Sequence, residues 1–199
     1  SNNTKVFIYL ETDLKPVEAG SYQNSSIDNQ KKAISGRNAF LVLKYASNTQ
    51  RVKARYGISF ISVEQAKKNL QREIKDYNLA NVAELGKNIW NTTLGKIAIK
   101  GSDENAKTIF YTSLYRTYER MINLSEDGKY FSAFDGKIHN DNGTPFFTDD
   151  WIWDTYRATH PLRVIIEPKM ESNMINSYLR MAQQMDDHWM PTFPEVTGD

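Results

Sequence analysis

The sequence contains no cysteine among its 199 residues. This absence excludes disulfide bonds, thiolate metal sites and a cysteine nucleophile. It carries no information on redox compartment, because a protein without thiols is insensitive to it. The chain also has no apolar run near the ~20 residues that span a bilayer, so we expect no membrane span.

An excess of charge of one sign is also absent. The 25 Lys and Arg residues nearly balance the 24 Asp and Glu residues, which leaves a formal net charge of +1. Nucleic-acid binding depends on clustered basic side chains that displace counterions from phosphates. We therefore predict no nucleic-acid partner. The length is sufficient for a sizeable hydrophobic core.

Strand patterns occupy the first third of the chain. Residues 5–11 and 39–45 are rich in β-branched and aromatic side chains, which is typical of strands. Residues 51–62 alternate strictly, which predicts a strand with one face in solvent. The apolar face consists of Val52, Ala54, Tyr56, Ile58 and Phe60, and the wet face of Lys53, Arg55, Gly57 and Ser59. The polar residues 13–35 indicate a long loop or a weak edge strand.

Helical periodicity replaces this alternation at Ser62. Ser62 and Gln65 match a capping box, in which each side chain binds the other residue's amide. Apolar residues at three- and four-residue spacing then predict several amphipathic helices. These lie at 63–77, at about 81–94, from a cap at Ser102, from about 150 to a break at Pro161, and at 171–185. The glycines and turn signals of residues 123–149 predict a loop or a short hairpin.

Strands first and helices afterwards indicate two segregated units, not alternating βαβ units. The predicted strands are too few to cover their own apolar edges. The helical part ends shortly after Pro194 without a closing element. We therefore expect the chain to be an excerpt of a larger protein.

The densest polar and aromatic cluster is residues 148–162, TDDWIWDTYRATHPL. A helix from about residue 150 places Asp150, Trp153, Asp154 and Arg157 on one side. An exposed indole covers the apolar face of a sugar, while carboxylate and guanidinium groups bind paired hydroxyls. The alternative is a buried tryptophan beside a structural Asp–Arg pair, and spacing alone favours it.

Other chemistry in this region has weaker support. Asp150 and Asp154 do not make a glycosidase acid–base pair, because carboxyls one helical turn apart lie on the same side of a substrate. His160 is expected to pack or cap at the helix break, and its position near the cluster leaves a ligand role open. Residues 140–143 (NDNG) resemble half a calcium loop, but without the following glutamate they favour a turn.

Three blocks of the sequence resemble glycoside hydrolase family 92, whose members are α-mannosidases that often act on α-1,2 linkages. The first block is RYGISFIS at 55–62, continued by EQA at 64–66 and NL at 69–70. The second is IFYTSLY at 109–115, and the third is WDTYRATHPL at 153–162. The blocks occur in order and together extend the resemblance over roughly residues 50–195.

The resemblance implies an N-terminal antiparallel β-sandwich, a linker helix and an (α/α)6 barrel, with the active site between sandwich and barrel. On this chain it assigns residues 1–62 to the last strands of the sandwich and 63–80 to the linker helix. Residues 81–199 become the first helices of a truncated catalytic barrel. It also implies calcium-dependent, inverting exo-hydrolysis of mannans or N-glycans. Such an enzyme is secreted, periplasmic or on the cell surface, and the polar start of the chain is that of a mature form without its signal peptide.

The resemblance also places Trp153 and Asp154 in the wall of the mannose pocket, with Arg157 and His160 as further substrate-binding residues. The acid, the base and most calcium ligands of the family belong to motifs absent from this chain. We therefore expect no catalytic and no metal-binding residue here, and no activity from these 199 residues alone. The expected partners are a mannose-containing oligosaccharide and the remainder of the polypeptide. The alternative function is a non-catalytic carbohydrate-binding or protein-interaction module.

Overall fold

The computed structural model describes residues 4–30, 32–101 and 103–197. Within these ranges strands precede helices, and a second group of short strands interrupts the helices, so the mixed fold class is confirmed. The elements are β1 (Phe7–Thr12), β2 (Glu18–Gln23), β3 (Ser26–Asp28), β4 (Ala39–Lys44), β5 (Ala54–Ser59), α1 (Val63–Glu73), α2 (Leu79–Leu94), α3 (Glu104–Arg116), β6 (Ile122–Asn123), β7 (Lys129–Ser132), β8 (Lys137–Asn140), β9 (Phe147–Thr148), α4 (Ile152–Thr155), α5 (Thr159–Ile166) and α6 (Pro168–Gln184).

Two small antiparallel sheets form the first third of the chain. One pairs β1 with β5, and the other places β2 between β3 and β4. The prediction of a loop or a weak edge strand over 13–35 was therefore right for β3, which is an edge strand, and wrong for β2, which is central. The β2–β3 turn consists of Asn24 and Ser25, both with positive φ (48° and 64°). A two-residue turn with positive φ at both positions matches the right-handed twist of the two strands that it joins.

Strand β5 alternates as predicted, but with the opposite face buried. Gly57 and Ser59 are buried, whereas Tyr56 and Ile58 are exposed. The cause is α1, which packs on the face with the small side chains. A Cβ atom added to Gly57 would lie 2.2 Å from the carbonyl oxygen of Ala66. The predicted wet face is therefore the one that the helix covers.

The start of α1 is half of the predicted capping box. Ser62 Oγ accepts a hydrogen bond from the Gln65 amide at 3.1 Å, as predicted. The side chain of Gln65 does not return to Ser62, and donates instead to Asn69 Oδ1 and Asp127 Oδ2. The helix ends at Glu73, four residues before the last predicted apolar position.

Other helix boundaries differ from the prediction by a few residues. Asn78 caps α2, and Asp103 caps α3 by accepting from two backbone amides. The predicted cap of α3, Ser102, lies outside the described residues. Pro161 does not break a helix, because it falls in the first turn of α5, where its missing N–H costs no hydrogen bond.

The main core lies between α6 and the strands of residues 122–148. These residues contain a short hairpin, β7 with β8, as one of the two predicted alternatives, and the antiparallel pair of β6 with β9 encloses it. Met174 and Met181, on the apolar stripe of the helix predicted at 171–185, are buried. The core cluster comprises Met121, Leu124, Tyr130, Phe146, Phe147, Met174, Tyr178 and Met181.

A buried carboxylate connects the strand unit to this core. Glu126 accepts from the Phe60 amide at 3.0 Å and from Asn69 Nδ2 at 2.6 Å. Arg72 pairs with the neighbouring Asp127. These contacts fasten α1 to the turn before β7. No helix within the described ranges is long and apolar enough to cross a membrane.

Candidate functional site

The helix α4 carries two of the predicted site residues, Trp153 and Asp154. Trp153 is 67% exposed, and Asp154 is also exposed. Among the described residues no side chain hydrogen-bonds to the Asp154 carboxylate. The described residues neither bury Trp153 nor pair Asp154 with Arg157, and the sugar-binding role of the pair stays a prediction. An outward indole next to a free carboxylate is suited to the mixed apolar and hydroxyl surface of a sugar.

Asp150 faces away from these two residues, contrary to the predicted common side. It precedes α4 and is completely buried. Its Oδ1 accepts from the Trp151 amide at 2.9 Å and from Thr155 Oγ1 at 3.0 Å. Helix α4 begins at Ile152, two residues after the predicted start at about residue 150, so Asp150 precedes the helix and does not share its exposed side.

Arg157 remains at the surface, just after α4. Its Nε donates to Tyr156 Oη at 2.8 Å, and its guanidinium carbon lies 5.6 Å from the Tyr156 ring centre. This local contact orients the guanidinium group without involving Asp154. A substrate-binding role for Arg157 stays a prediction.

His160 lies inside the molecule, between two carboxylates. Its Nε2 is 2.8 Å from Asp150 Oδ2, and its Nδ1 is 2.7 Å from Glu171 Oε1. An imidazole flanked by ionised carboxylates donates at both nitrogens only when it is protonated. The hydrogen bond to Asp150 accordingly raises the pKa of His160. A direct sugar contact for His160 stays a prediction, although neither ring nitrogen is free in this structure.

The ionised state of Asp150 depends on its hydrogen-bond donors. Burial raises the pKa of this carboxyl most strongly, but hydrogen bonds from His160 and Tyr178 outweigh it and lower the pKa below the usual value. Tyr178 donates to Asp150 Oδ2 at 2.7 Å. Burial, together with the bond to Asp150, raises the pKa of Tyr178, which remains a neutral donor.

Arg163 adds a second buried positive charge. It is 1% exposed and donates to the backbone carbonyls of Thr117 and Arg120. Burial lowers its pKa, while the negative charges of Glu171 and Asp150 act in the opposite direction. Two acidic groups and two basic groups therefore lie close together in this part of the interior, and their charges oppose one another. They are Asp150, Glu171, His160 and Arg163.

Sequence reasoning missed Glu171 and the polar role of Tyr178. A signal for both was present, because Glu171, Met174, Tyr178 and Met181 follow one another at three- and four-residue spacing. This is the buried stripe of α6. A carboxylate on such a stripe requires a buried partner of opposite charge.

A second aromatic group flanks α4. Trp151 is 44% exposed, and the Arg120 guanidinium lies 3.8 Å from its ring centre. Arg120 also donates to Asp149 Oδ2 at 3.0 Å. This cation–π stacking holds the Trp151 indole at the N-terminal end of α4.

The described residues contain no group of three or more His, Asp or Glu side chains arranged to hold a metal ion. At residues 140–143 the structure has the predicted turn, in which Asp141 Oδ1 accepts from the Gly143 amide at 2.8 Å. The residues present therefore do not fit a calcium site of their own.

Two open grooves lie away from α4. One of about 870 Å³ is bounded by β5, α1 and the start of α2. Another of about 530 Å³ lies between α2 and α3 and includes Trp90 and Tyr115. None of the four predicted site residues lines either groove. The predicted site on α4 therefore lies apart from both of these grooves.

Comparison with known proteins gives consistent matches. Residues 65–199 match the glycosyl hydrolase family 92 catalytic domain. An "Uncharacterized secreted glycosidase" of Arthroderma benhamiae is 30% identical over 115 residues, covering 50% of this chain and 15% of that protein.

Solved structures show the same likeness. A family 92 inverting mannosidase from Bacteroides thetaiotaomicron has a TM-score of 0.79 and 26% identity, covering 100% of this chain and 27% of that one. A family 92 alpha-mannosidase from the same bacterium has a TM-score of 0.86 at 21% identity, covering 98% and 27%, and shows likeness of fold alone. This chain therefore spans less than a third of the length of each of these relatives.

Proposed function

This chain belongs to glycosyl hydrolase family 92, and on that basis we propose that it forms part of the sugar-binding wall of a larger glycoside hydrolase. The observation that carries the proposal is the exposed Trp153–Asp154 pair on α4. The pair lies within the family match and faces solvent, while Asp150 holds the helix from beneath. Its ligand is a mannose-containing oligosaccharide.

The reaction we propose is exo-hydrolysis of an α-mannosidic bond with inversion, and the preferred linkage is α-1,2. The name of one similar structure, an inverting mannosidase at 26% identity, supports the reaction type. The linkage rests on the resemblance of the three sequence blocks.

Each site residue has a distinct task in this proposal. Trp153 covers the apolar C–H face of the terminal mannose, and Asp154 accepts hydrogen bonds from its hydroxyls. Arg157 donates to a further oxygen of the substrate. The stacking and the charged hydrogen bonds orient the sugar for attack by water.

The proton-transfer groups belong to the rest of the polypeptide. Inversion requires two carboxyl groups on opposite sides of the scissile bond. Asp150 is buried, and its carboxylate is hydrogen-bonded to His160 and Tyr178, so it does not reach a substrate. Asp154 alone supplies only one carboxylate. We therefore assign no catalytic residue to this chain.

The remaining expectations are proposals of the same kind. Residues 1–62 belong to a β-sandwich, 63–80 to a linker helix, and 81–199 to an (α/α)6 barrel. The calcium ion implied by the family resemblance takes most of its ligands from outside this chain, and no step above depends on it. A secreted, periplasmic or surface location is supported by the secreted glycosidase relative.

The test is hydrolysis of α-1,2-mannobiose by the complete native polypeptide carrying Asp154→Asn or Trp153→Ala. Loss of a charged hydrogen bond in the transition state costs about 2–4 kcal/mol, so we expect kcat/KM of Asp154→Asn to fall by about 30- to 1,000-fold. Asp186→Asn and Trp189→Ala, at other exposed positions, are matched controls and should remain within about twofold.

Two outcomes would contradict the proposal. Unchanged kinetics in both Trp153→Ala and Asp154→Asn would remove α4 from the site. If the complete polypeptide binds mannobiose without any turnover, and the same variants lose that binding, the non-catalytic module is the correct function.

A further inference from the structure

Helix α4 is too short to hold its own orientation. It has four residues, Ile152–Thr155, and no side-chain cap at its N-terminus. An isolated helix of this length is unstable in water, because nucleation costs more than one turn of hydrogen bonds returns. The direction of Trp153 and Asp154 must therefore be set by contacts outside the helix.

Those contacts converge on the buried carboxylate of Asp150. Its Oδ1 accepts hydrogen bonds from Trp151 N and Thr155 Oγ1, which lie at the two ends of α4. Its Oδ2 forms hydrogen bonds with His160 Nε2 on α5 and with Tyr178 Oη on α6. Asp150 thus joins the helix that carries the site to the two helices packed beneath it.

His160 extends this connection to a second point on α6. Its Nδ1 contacts Glu171 Oε1 at 2.7 Å while its Nε2 contacts Asp150 at 2.8 Å. When both carboxylates are ionised, each contact needs an N–H, and the ring then bridges them as an imidazolium. The other ionisable groups around it are Tyr178 on α6, which touches Asp150, and Arg163 on its own helix, which interacts with both acids through its charge.

We propose that His160, held between Asp150 and Glu171, is a positioning residue that orients α4 and thereby the Trp153–Asp154 pair toward the sugar. This inference rests on the proposed function, because it takes Trp153 and Asp154 on α4 to be the residues that bind the sugar. It differs from the predicted role of His160, since the ring acts through Asp150 and does not touch substrate.

A matched pair of tyrosines tests this arrangement. Tyr178→Phe removes the hydroxyl that binds Asp150 and leaves the ring in the core. Tyr130→Phe removes a hydroxyl that accepts from Gln184 Nε2 at 2.9 Å, in the same core cluster but away from α4. Both variants delete one hydrogen bond from a buried ring, so a general effect on packing appears equally in both.

The first measurement is hydrogen exchange of the α4 amides in the complete polypeptide. The amides of Asp154, Thr155 and Tyr156 donate to Trp151 and Ile152 carbonyls. We expect about tenfold faster exchange of these amides in Tyr178→Phe and in His160→Gln. Tyr130→Phe should match the wild type in this segment. Equal exchange in the two tyrosine variants would overturn the inference.

The second measurement separates positioning from general stability. In mannobiose hydrolysis we expect His160→Gln and Tyr178→Phe to raise KM about tenfold and to leave kcat within about threefold, since the reacting carboxyls lie elsewhere. Proportional losses in all three variants, matching their loss of thermal stability, would indicate a merely structural role and overturn the inference.

Failure of the proposed function would look different. Suppose that Trp153→Ala and Asp154→Asn do not affect kinetics, while hydrogen exchange in α4 still differs between the two tyrosine variants. The orientation of α4 through Asp150 and His160 is then supported, and the sugar-binding assignment fails. If the site variants lose activity but the tyrosine pair behaves alike, only the positioning inference fails.

Discussion

Single residues beneath α4 carry an unusual amount of charge for a protein interior. Asp150, Arg163 and Glu171 are each at most 3% exposed, and His160 contacts both acids. Replacing a buried ion pair by apolar groups is often neutral for stability, whereas removing one partner costs about 3–5 kcal/mol. A network of this kind fixes geometry more than it adds stability, which is why we assign it an orienting role.

The two pKa shifts predict how this network responds to pH. The pKa of His160 is raised by its bond to Asp150, so its stabilisation is complete below the pKa of an unfolded histidine and is lost as pH rises through the raised value. The pKa of Asp150 is lowered, despite burial, by bonds from His160 and Tyr178. Its stabilisation is present above the pKa of an unfolded aspartate and is lost as pH falls through the lowered value.

We therefore expect local stability around α4 to be greatest between the pKa of an unfolded aspartate and that of an unfolded histidine. The measurement is hydrogen exchange of residues 150–166 over a pH series, corrected for intrinsic exchange rates. His160→Gln serves as the control and should lose the decline on the alkaline side. A wild-type profile without that decline would show that His160 is not charged in the folded protein.

Among the elements, the contact between β5 and α1 depends on the absence of a side chain. A Cβ atom at Gly57 would lie 2.2 Å from Ala66 O and 2.9 Å from Leu70 N. Backbone atoms cannot move aside as a flexible side chain does, so the helix itself would have to shift. This close approach decides which face of β5 is buried.

Gly57→Ala should destabilise the protein by about 3 kcal/mol, because overpacking against backbone forces the helix outward. Gly86→Ala is the matched control in α2, where an added Cβ meets nothing within 4 Å. It should stabilise by about 0.5–1 kcal/mol through better helix propensity. Thermal unfolding of the complete polypeptide measures both, and an unchanged midpoint for Gly57→Ala would contradict the described packing.

Element types were more predictable than their contacts. The Ser62 cap and the stripe of α6 depend on local chemistry, and both agree with the prediction. Strand β2 was missed because Gly, Ser and Gln give it no apolar signature. Pro161 was misjudged because a proline at the start of a helix looks, in sequence, like one at its end.

Across the whole molecule, large apolar side chains remain exposed. They occur on both small sheets and on α2, among them Ile8, Phe40, Val42, Tyr56 and Ile89. Contiguous apolar surface of this kind marks contact with other protein segments. The chain spans 27% of two similar solved chains, so further polypeptide is available in those relatives to cover such faces.

The 199-residue chain on its own should therefore bind a hydrophobic dye such as anilinonaphthalene sulfonate strongly and release no mannose from α-1,2-mannobiose. The complete polypeptide should bind little dye and hydrolyse the disaccharide. Fluorescence titration and product chromatography check the two expectations. Clear turnover by the 199 residues would show that the acid and base lie within them.

The sequence alone determined the family and the broad order of strands before helices, because these depend on motifs and on local spacing. The buried face of β5 and the partners of His160 were decided by the tertiary structure. Both arise where segments distant along the chain meet, as when α6 brings Glu171 and Tyr178 to the carboxylate and imidazole that precede it. Periodicity identifies a face, but only the packed neighbour determines whether that face is covered.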